Sequence, residues 1–163
     1  MTERKLIQFF ISYAHADDEL ASKLIEAFKE MSIPSKKYKY EFWQDTAILP
    51  GEKWKEEIQN ALNECSVGLL LISPAFLGSE FIGKNELSTF IGEKTKPAVP
   101  VMLKKVNMKR HDLKGLEDAQ IFRLKAGDAK NMKSYAQCVS RQKDGFVYEL
   151  FDRVECLLDK VPT

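Results

Sequence analysis

The chain has 163 residues and a mass of 18.7 kDa, one domain's worth of sequence and enough to bury a core. Hydrophobic residues make up 44% and charged residues 30%, and the formal net charge of +1 supplies no global field toward nucleic acid or anionic membrane. No apolar run approaches the roughly 18 residues of a membrane-spanning helix, and the start MTERKLIQFF lacks the features of a secretory signal, so a cytoplasmic location is expected.

In chain order, LIQFFISY (6–13) is short, apolar and aromatic, the pattern of a buried strand. Asp17 and Asp18 offer N-caps to a helix carrying Leu20, Leu24, Ile25, Phe28 and Met31 on one face. SIPSKK breaks that helix, and YKYEFWQ (38–44) alternates as an exposed or edge strand would. Pro50-Gly51 marks a turn, after which Trp54, Ile58, Ala61 and Leu62 form the stripe of a second helix. VGLLLI (67–72) is the central strand. A capping serine and apolar spacing predict a helix from about Ser79 to Gly92. AVPVML (98–103) and AQIFRL (119–124) read as two further strands, and Phe146, Val147, Leu150, Phe151, Val154, Leu157 and Leu158 predict a closing helix.

Strands that are apolar throughout, alternating with helices, indicate a parallel sheet covered on both faces. The predicted fold is α/β: a single domain over 1–163, flavodoxin-like and doubly wound, with about five parallel strands. In such sheets the ligand crevice lies beyond the carboxyl ends of the strands. AHADD, QDTAILPGE and SPAFLGSEF should therefore meet there. Ser-Pro and the glycines of SPAFLGSEFIGKNEL (73–87) are expected to shape an open loop that delivers one carboxylate, Glu86.

Several chemistries are excluded. No GxGxxG follows a strand and no GxxxxGK[ST] occurs, which removes the dinucleotide cradle and the P-loop. No GxSxG elbow is present. A receiver domain needs a phosphorylatable Asp ending its third strand, where this chain has Ile72-Ser73-Pro74. Cys65, Cys138 and Cys156 are odd in number and lack CxxC spacing, which predicts reduced thiols, either small core fillers or ordinary thiols. With only His15 and His111 beside them, no metal site is expected.

Three motifs in order, FFISYAHADD, Asp45 with Pro50-Gly51 and Trp54, and LLLISPAFLGSEFIGKNEL, resemble the TIR domain family in its bacterial form. The similarity is strongest over residues 9–90. The resemblance implies either an enzyme that cleaves the nicotinamide–ribose bond of NAD+, giving linear or cyclic ADP-ribose in bacterial defence, or a non-catalytic adaptor or virulence-type module acting by homotypic contacts. It implies NAD+ as substrate with no separate cofactor, self-association, and a fused or separate sensor module as partner. A TIR unit is often part of a longer chain. Membrane is not implied, and nucleic acid, through KKYK (36–39) or KKVNMKRHDLK (104–114), ranks last because such runs are usually solvated faces.

By its spacing from Ser79, Phe81 and Leu87, the resemblance places the family's catalytic glutamate at Glu86. Many active relatives carry a Trp four residues earlier, where this chain has Ile82 beside Phe81. Phe81 then reads either as the pocket's aromatic wall or as a core hydrophobe. Phe10, Ser12, Tyr13 and His15 end the first strand where relatives line the nucleotide pocket. Phe10 equally suits the core, and His15 a solvated loop. Trp43 and Asp45 flank the second loop, Trp43 as a stacking platform or a buried sheet residue. Ser73 ends the third strand. Ala47, Ile48, Leu49, Pro50 and Gly51 are expected to pack on a neighbouring subunit, completing its pocket, so that activity rises with protein concentration.

Overall fold

A computed structural model describes residues 3–44, 52–92, 95–125 and 132–160, without the side chains of 52–55 and 118. Asp45, Ala47, Ile48, Leu49, Pro50, Gly51 and the Trp54 side chain lie outside the described residues.

Four strands form one parallel sheet: β1 (Lys5–Ser12), β2 (Tyr38–Gln44), β3 (Val67–Ile72) and β4 (Ala98–Met102), in the order β2-β1-β3-β4. Stepping outward from β1 in both directions is the doubly wound arrangement, and the YKYEFWQ segment takes an edge as its alternation predicted. The fifth strand expected over 119–124 is reduced to one bridge. Phe122 donates its N–H to the Pro100 carbonyl at 2.7 Å and accepts from Met102 N–H at 2.9 Å. Leu124–Lys125 (β5) instead pairs antiparallel with Met132–Lys133 (β6). Phe122 anchors in the core while its neighbours are less buried, so the ladder cannot propagate.

Side chains of period two divide the core between the two faces. Ile7, Phe9, Ile11, Leu69, Leu71, Val99 and Val101 pack under α1 (Asp18–Ser32) and α4 (Ser140–Lys160), against Leu24, Ile25, Phe28, Phe146, Leu150 and Val154. Phe10, Leu70, Ile72 and Met102 face α2 (Glu52–Glu64) and the segment 76–90, meeting Ile58, Leu62, Phe76, Ile82, Leu87 and Phe90. Lys96 closes the carboxyl end of α2, its ammonium donating to the carbonyls of Leu62, Asn63 and Cys65 at 2.6, 2.7 and 2.7 Å. A cation there also complements the negative end of the helix dipole. Cys65 and Cys138 fill the core as expected. Cys156 is the ordinary thiol of the two expected kinds, exposed on α4.

Two phenols tie β2 to α4. Tyr38 donates to Asp159 Oδ1 and Tyr40 to Glu155 Oε2, both at 2.6 Å. Burial and the neighbouring carboxylates raise both phenols, Tyr38 from the ordinary 10.0 to about 12 and Tyr40 further. The unfolded chain gives up these protons near pH 10, whereas the folded chain holds them, so their stabilisation is complete below 10 and lost as pH rises from 10 toward 12. The expected outcome is that a Tyr38→Phe/Tyr40→Phe chain melts below wild type at pH 8, and that the gap narrows steadily above about pH 10. Thermal melts across that range, with an unchanging gap as the contrary result, check it.

Candidate active site

β1 and β3 lie side by side at the sheet centre, and the chain beyond their carboxyl ends converges. Three side chains meet there. Asp17 follows β1 and is 3% exposed, Ser73 ends β3 and is wholly buried, and Lys104 follows β4. Ser73 donates its hydroxyl to Asp17 Oδ2, and Lys104 Nζ approaches Asp17 Oδ1 at 2.8 Å. Lys104 is set in place by the backbone, since Leu103 and Lys104 N–H both donate to the Ile72 carbonyl, at 2.9 and 3.1 Å.

Its sequence position suits Asp17 to a helix cap, yet its side chain caps nothing. A cation and a hydroxyl hold the carboxylate in charge-assisted bonds stronger than a cap would be. It is the neighbouring Asp18 that accepts from Tyr13 Oη, at 2.8 Å, in the first turn of α1. Lys104, read within a solvated basic run, is the buried carboxylate's counter-ion. Both were missed because their partners lie far away in sequence, where spacing carries no signal.

The open loop expected before Ser79 is instead a short helix, and the helix predicted from Ser79 to Gly92 is present over 80–89 in irregular form, passing from α into a π turn and a 3₁₀ turn. Ser73 does two jobs: besides binding Asp17 it accepts from Phe76 N–H at 3.0 Å, capping α3 (Pro74–Gly78) with Pro74 in its first turn. The chain straightens at Ser79, whose hydroxyl accepts from Ile82 N–H at 3.2 Å, so the capping role of this serine is seen. Ile82–Glu86 then forms a π turn, closed by Leu87 N–H on the Ile82 carbonyl, and Leu87–Thr89 a 3₁₀ turn. π turns inside helical segments are rare and frequent at functional sites.

Glu86 closes the π turn and is buried, 4% exposed. Burying a carboxylate is expensive unless it is well partnered, so this placement is not that of an ordinary solvated helix glutamate. Ile82 is buried and Phe81 half-buried, both packing with the α2-side core. Of the residues ending β1, Phe10 is a core residue with 0% exposure, Tyr13 is buried, and His15 is exposed. Ser12 is buried, and its hydroxyl finds no hydrogen-bond partner among the described residues. A buried hydroxyl is normally satisfied, so this one has an unused bond at the end of the central strand. Trp43 stacks on Phe10 with ring centroids 4.9 Å apart and planes at 15°, which leaves one indole face engaged below the strand ends.

One glycine moors the Glu86 segment. A Cβ on Gly68 in β3 would stand 2.5 Å from Phe90 Cε1, so the Phe90 ring lies directly on the strand where the side chain is missing. Gly68→Ala is expected to cost about 1–3 kcal/mol through overpacking. Adding Phe90→Leu should recover part of that in denaturant unfolding. Equal losses from the single and double substitutions would show that the ring is not the obstacle.

A parallel sheet in the order β2-β1-β3-β4, with the Asp17, Ser73 and Lys104 cluster beyond the carboxyl ends of β1, β3 and β4, defines a doubly wound α/β domain. The family model described as TIR domain matches residues 9–139, and the chain belongs to that family. No curated protein matches it. Among the described residues no helix is long and apolar enough to cross a membrane.

Proposed function

We propose that this TIR domain cleaves the nicotinamide–ribose bond of NAD+, with Glu86 as the catalytic carboxylate. The observation that carries the reading is the burial of Glu86 on a π turn after the central strand, at a position matching the family motif.

The chemistry suits one carboxylate. As the ribose C1′–N bond breaks, its electron pair returns to the pyridinium nitrogen and nicotinamide departs neutral, so no general acid is needed. Positive charge grows at C1′, and an anion held in a poorly hydrated position stabilises it. Water then attaches its oxygen to C1′ and releases a proton, giving ADP-ribose. Attack by an adenine nitrogen instead gives the cyclic product. Ser12, with its unused hydroxyl, and Tyr13 are proposed to contact the ribose side of the dinucleotide, with Phe10, Ser73, Phe81 and Ile82 shaping the wall behind them. His15, Trp43 and Asp45 are proposed to complete the substrate surface.

Residues 47–51 are proposed to reach a neighbouring subunit, so that activity belongs to the self-associated form and serves NAD+ depletion in bacterial defence. The test is chromatographic: concentrated protein incubated with NAD+ should release nicotinamide, with or without EDTA. Intact NAD+ after long incubation at high protein concentration would favour the adaptor role.

A further inference from the structure

We infer that the cavity between the loop following β4 and Arg123 binds a phosphate-bearing small molecule of nucleotide size. The cavity measures about 620 Å³, inside the range of roughly 300–1,000 Å³ typical of small-molecule sites. Lys105, Lys109 and Arg123 bring three cationic side chains to its lining, and no carboxylate belongs to that lining among the described residues.

The pairing of nearby cations makes this concentration of charge distinctive. Within 104–114, Lys104 is paired with Asp17 at 2.8 Å, and Lys114 lies 3.7 Å from Asp112. Lys105 and Lys109, between them, have no side-chain ion pair or hydrogen bond among the described residues. Arg123 is the sharper case. Its Nε is closed off from solvent and has no hydrogen-bond partner, and none of its guanidinium nitrogens meets an acceptor among the described residues. A half-buried guanidinium normally finds a carboxylate or a carbonyl, as half-buried Arg153 does at the Gln120 carbonyl at 3.3 Å. A planar fork with unused donors, in a hollow that two lysines also line, is the chemistry that recognises phosphate.

The rest of the lining suits an organic body rather than a bare ion. Met102, Val106, Met108 and Met132 form an apolar wall, and thioether side chains adapt readily to flat rings. His111 accepts the Asn107 N–H at Nδ1, 3.0 Å away, which leaves its Nε2 as a donor at the cavity edge. From sequence the basic run suits a solvated face or a contact to phosphates. The structure separates it into paired ends and an unpaired middle that lines a hollow.

The inference is independent of NAD+ cleavage, and the probes are ADP and inorganic pyrophosphate, titrated calorimetrically into the full chain. ADP should bind more tightly than pyrophosphate, and more weakly as salt screens the cations. Arg123→Gln should weaken ADP binding at least tenfold. Lys105→Ala/Lys109→Ala, at two exposed positions where folding is not at stake, should do the same. A Kd for ADP weaker than about 1 mM overturns the proposal. So does ADP binding that is indifferent to the lysine pair, or no tighter than that of pyrophosphate. A single-stranded oligonucleotide that binds more tightly than ADP and loses affinity with the same substitutions would mean a nucleic-acid surface instead.

Discussion

Glu86→Gln is expected to reduce nicotinamide release by at least about 100-fold while leaving the melting temperature nearly unchanged. The two side chains have the same shape, so the packing around this 4%-exposed position survives, and the amide still offers an oxygen acceptor. What it lacks is full negative charge. In the proposed reaction that charge opposes the positive charge growing at C1′, and its worth is greatest where water is scarce. The substitution therefore separates two roles. If Glu86 only holds the π turn together, Gln should shift stability and spare turnover. If it acts on the substrate, turnover collapses, and Glu86→Asp, which retains charge but retracts it, should recover only a fraction. Equal turnover by wild type and Glu86→Gln would end the catalytic assignment, while a wild-type protein inert toward NAD+ would end the enzymatic one.

How much of this was legible in the sequence depended on whether the deciding interaction is local. VGLLLI could be read because every residue of β3 is buried, and a fully buried parallel strand has to be apolar throughout. The stripe of α1 was equally plain, since Leu24, Ile25 and Phe28 repeat at helical spacing against one sheet face. AQIFRL misled because strand composition does not guarantee a ladder, and only Phe122 finds a place beside β4. The segment after β3 was legible as helical but not in its kind, because serine caps and apolar spacing are shared by α, 3₁₀ and π turns. The motif placed Glu86, yet nothing in its spacing told that the carboxylate would be buried. Asp17 and Lys104 were legible only as a cap and a basic run, because the fold alone brings β1, β3 and β4 to one end.

That convergence supplies the second large effect. Lys104→Met is expected to destabilise the protein by about 3 kcal/mol, more than a surface ion pair would suggest. The asymmetry lies in burial: the Asp17 side chain is 1% exposed and that of Lys104 43%. Removing the lysine leaves a carboxylate inside the fold with one hydroxyl, from Ser73, as its described side-chain partner. Met keeps most of the aliphatic stem, so lost packing is a minor part of the change. Asp17→Asn alone should cost less, since it removes the buried charge and leaves a partly solvated ammonium free to turn toward water. The double substitution Asp17→Asn/Lys104→Met should then be more stable than Lys104→Met, the reverse of what additive losses would give. Denaturant unfolding of the four proteins measures the coupling directly. Additive losses, with the double variant least stable of all, would mean that the pair is a surface contact and that the start of α1 is held to β3 by other means. The predicted rescue would make this ion pair the anchor joining the ends of β1, β3 and β4, the framework on which the Glu86 turn is built.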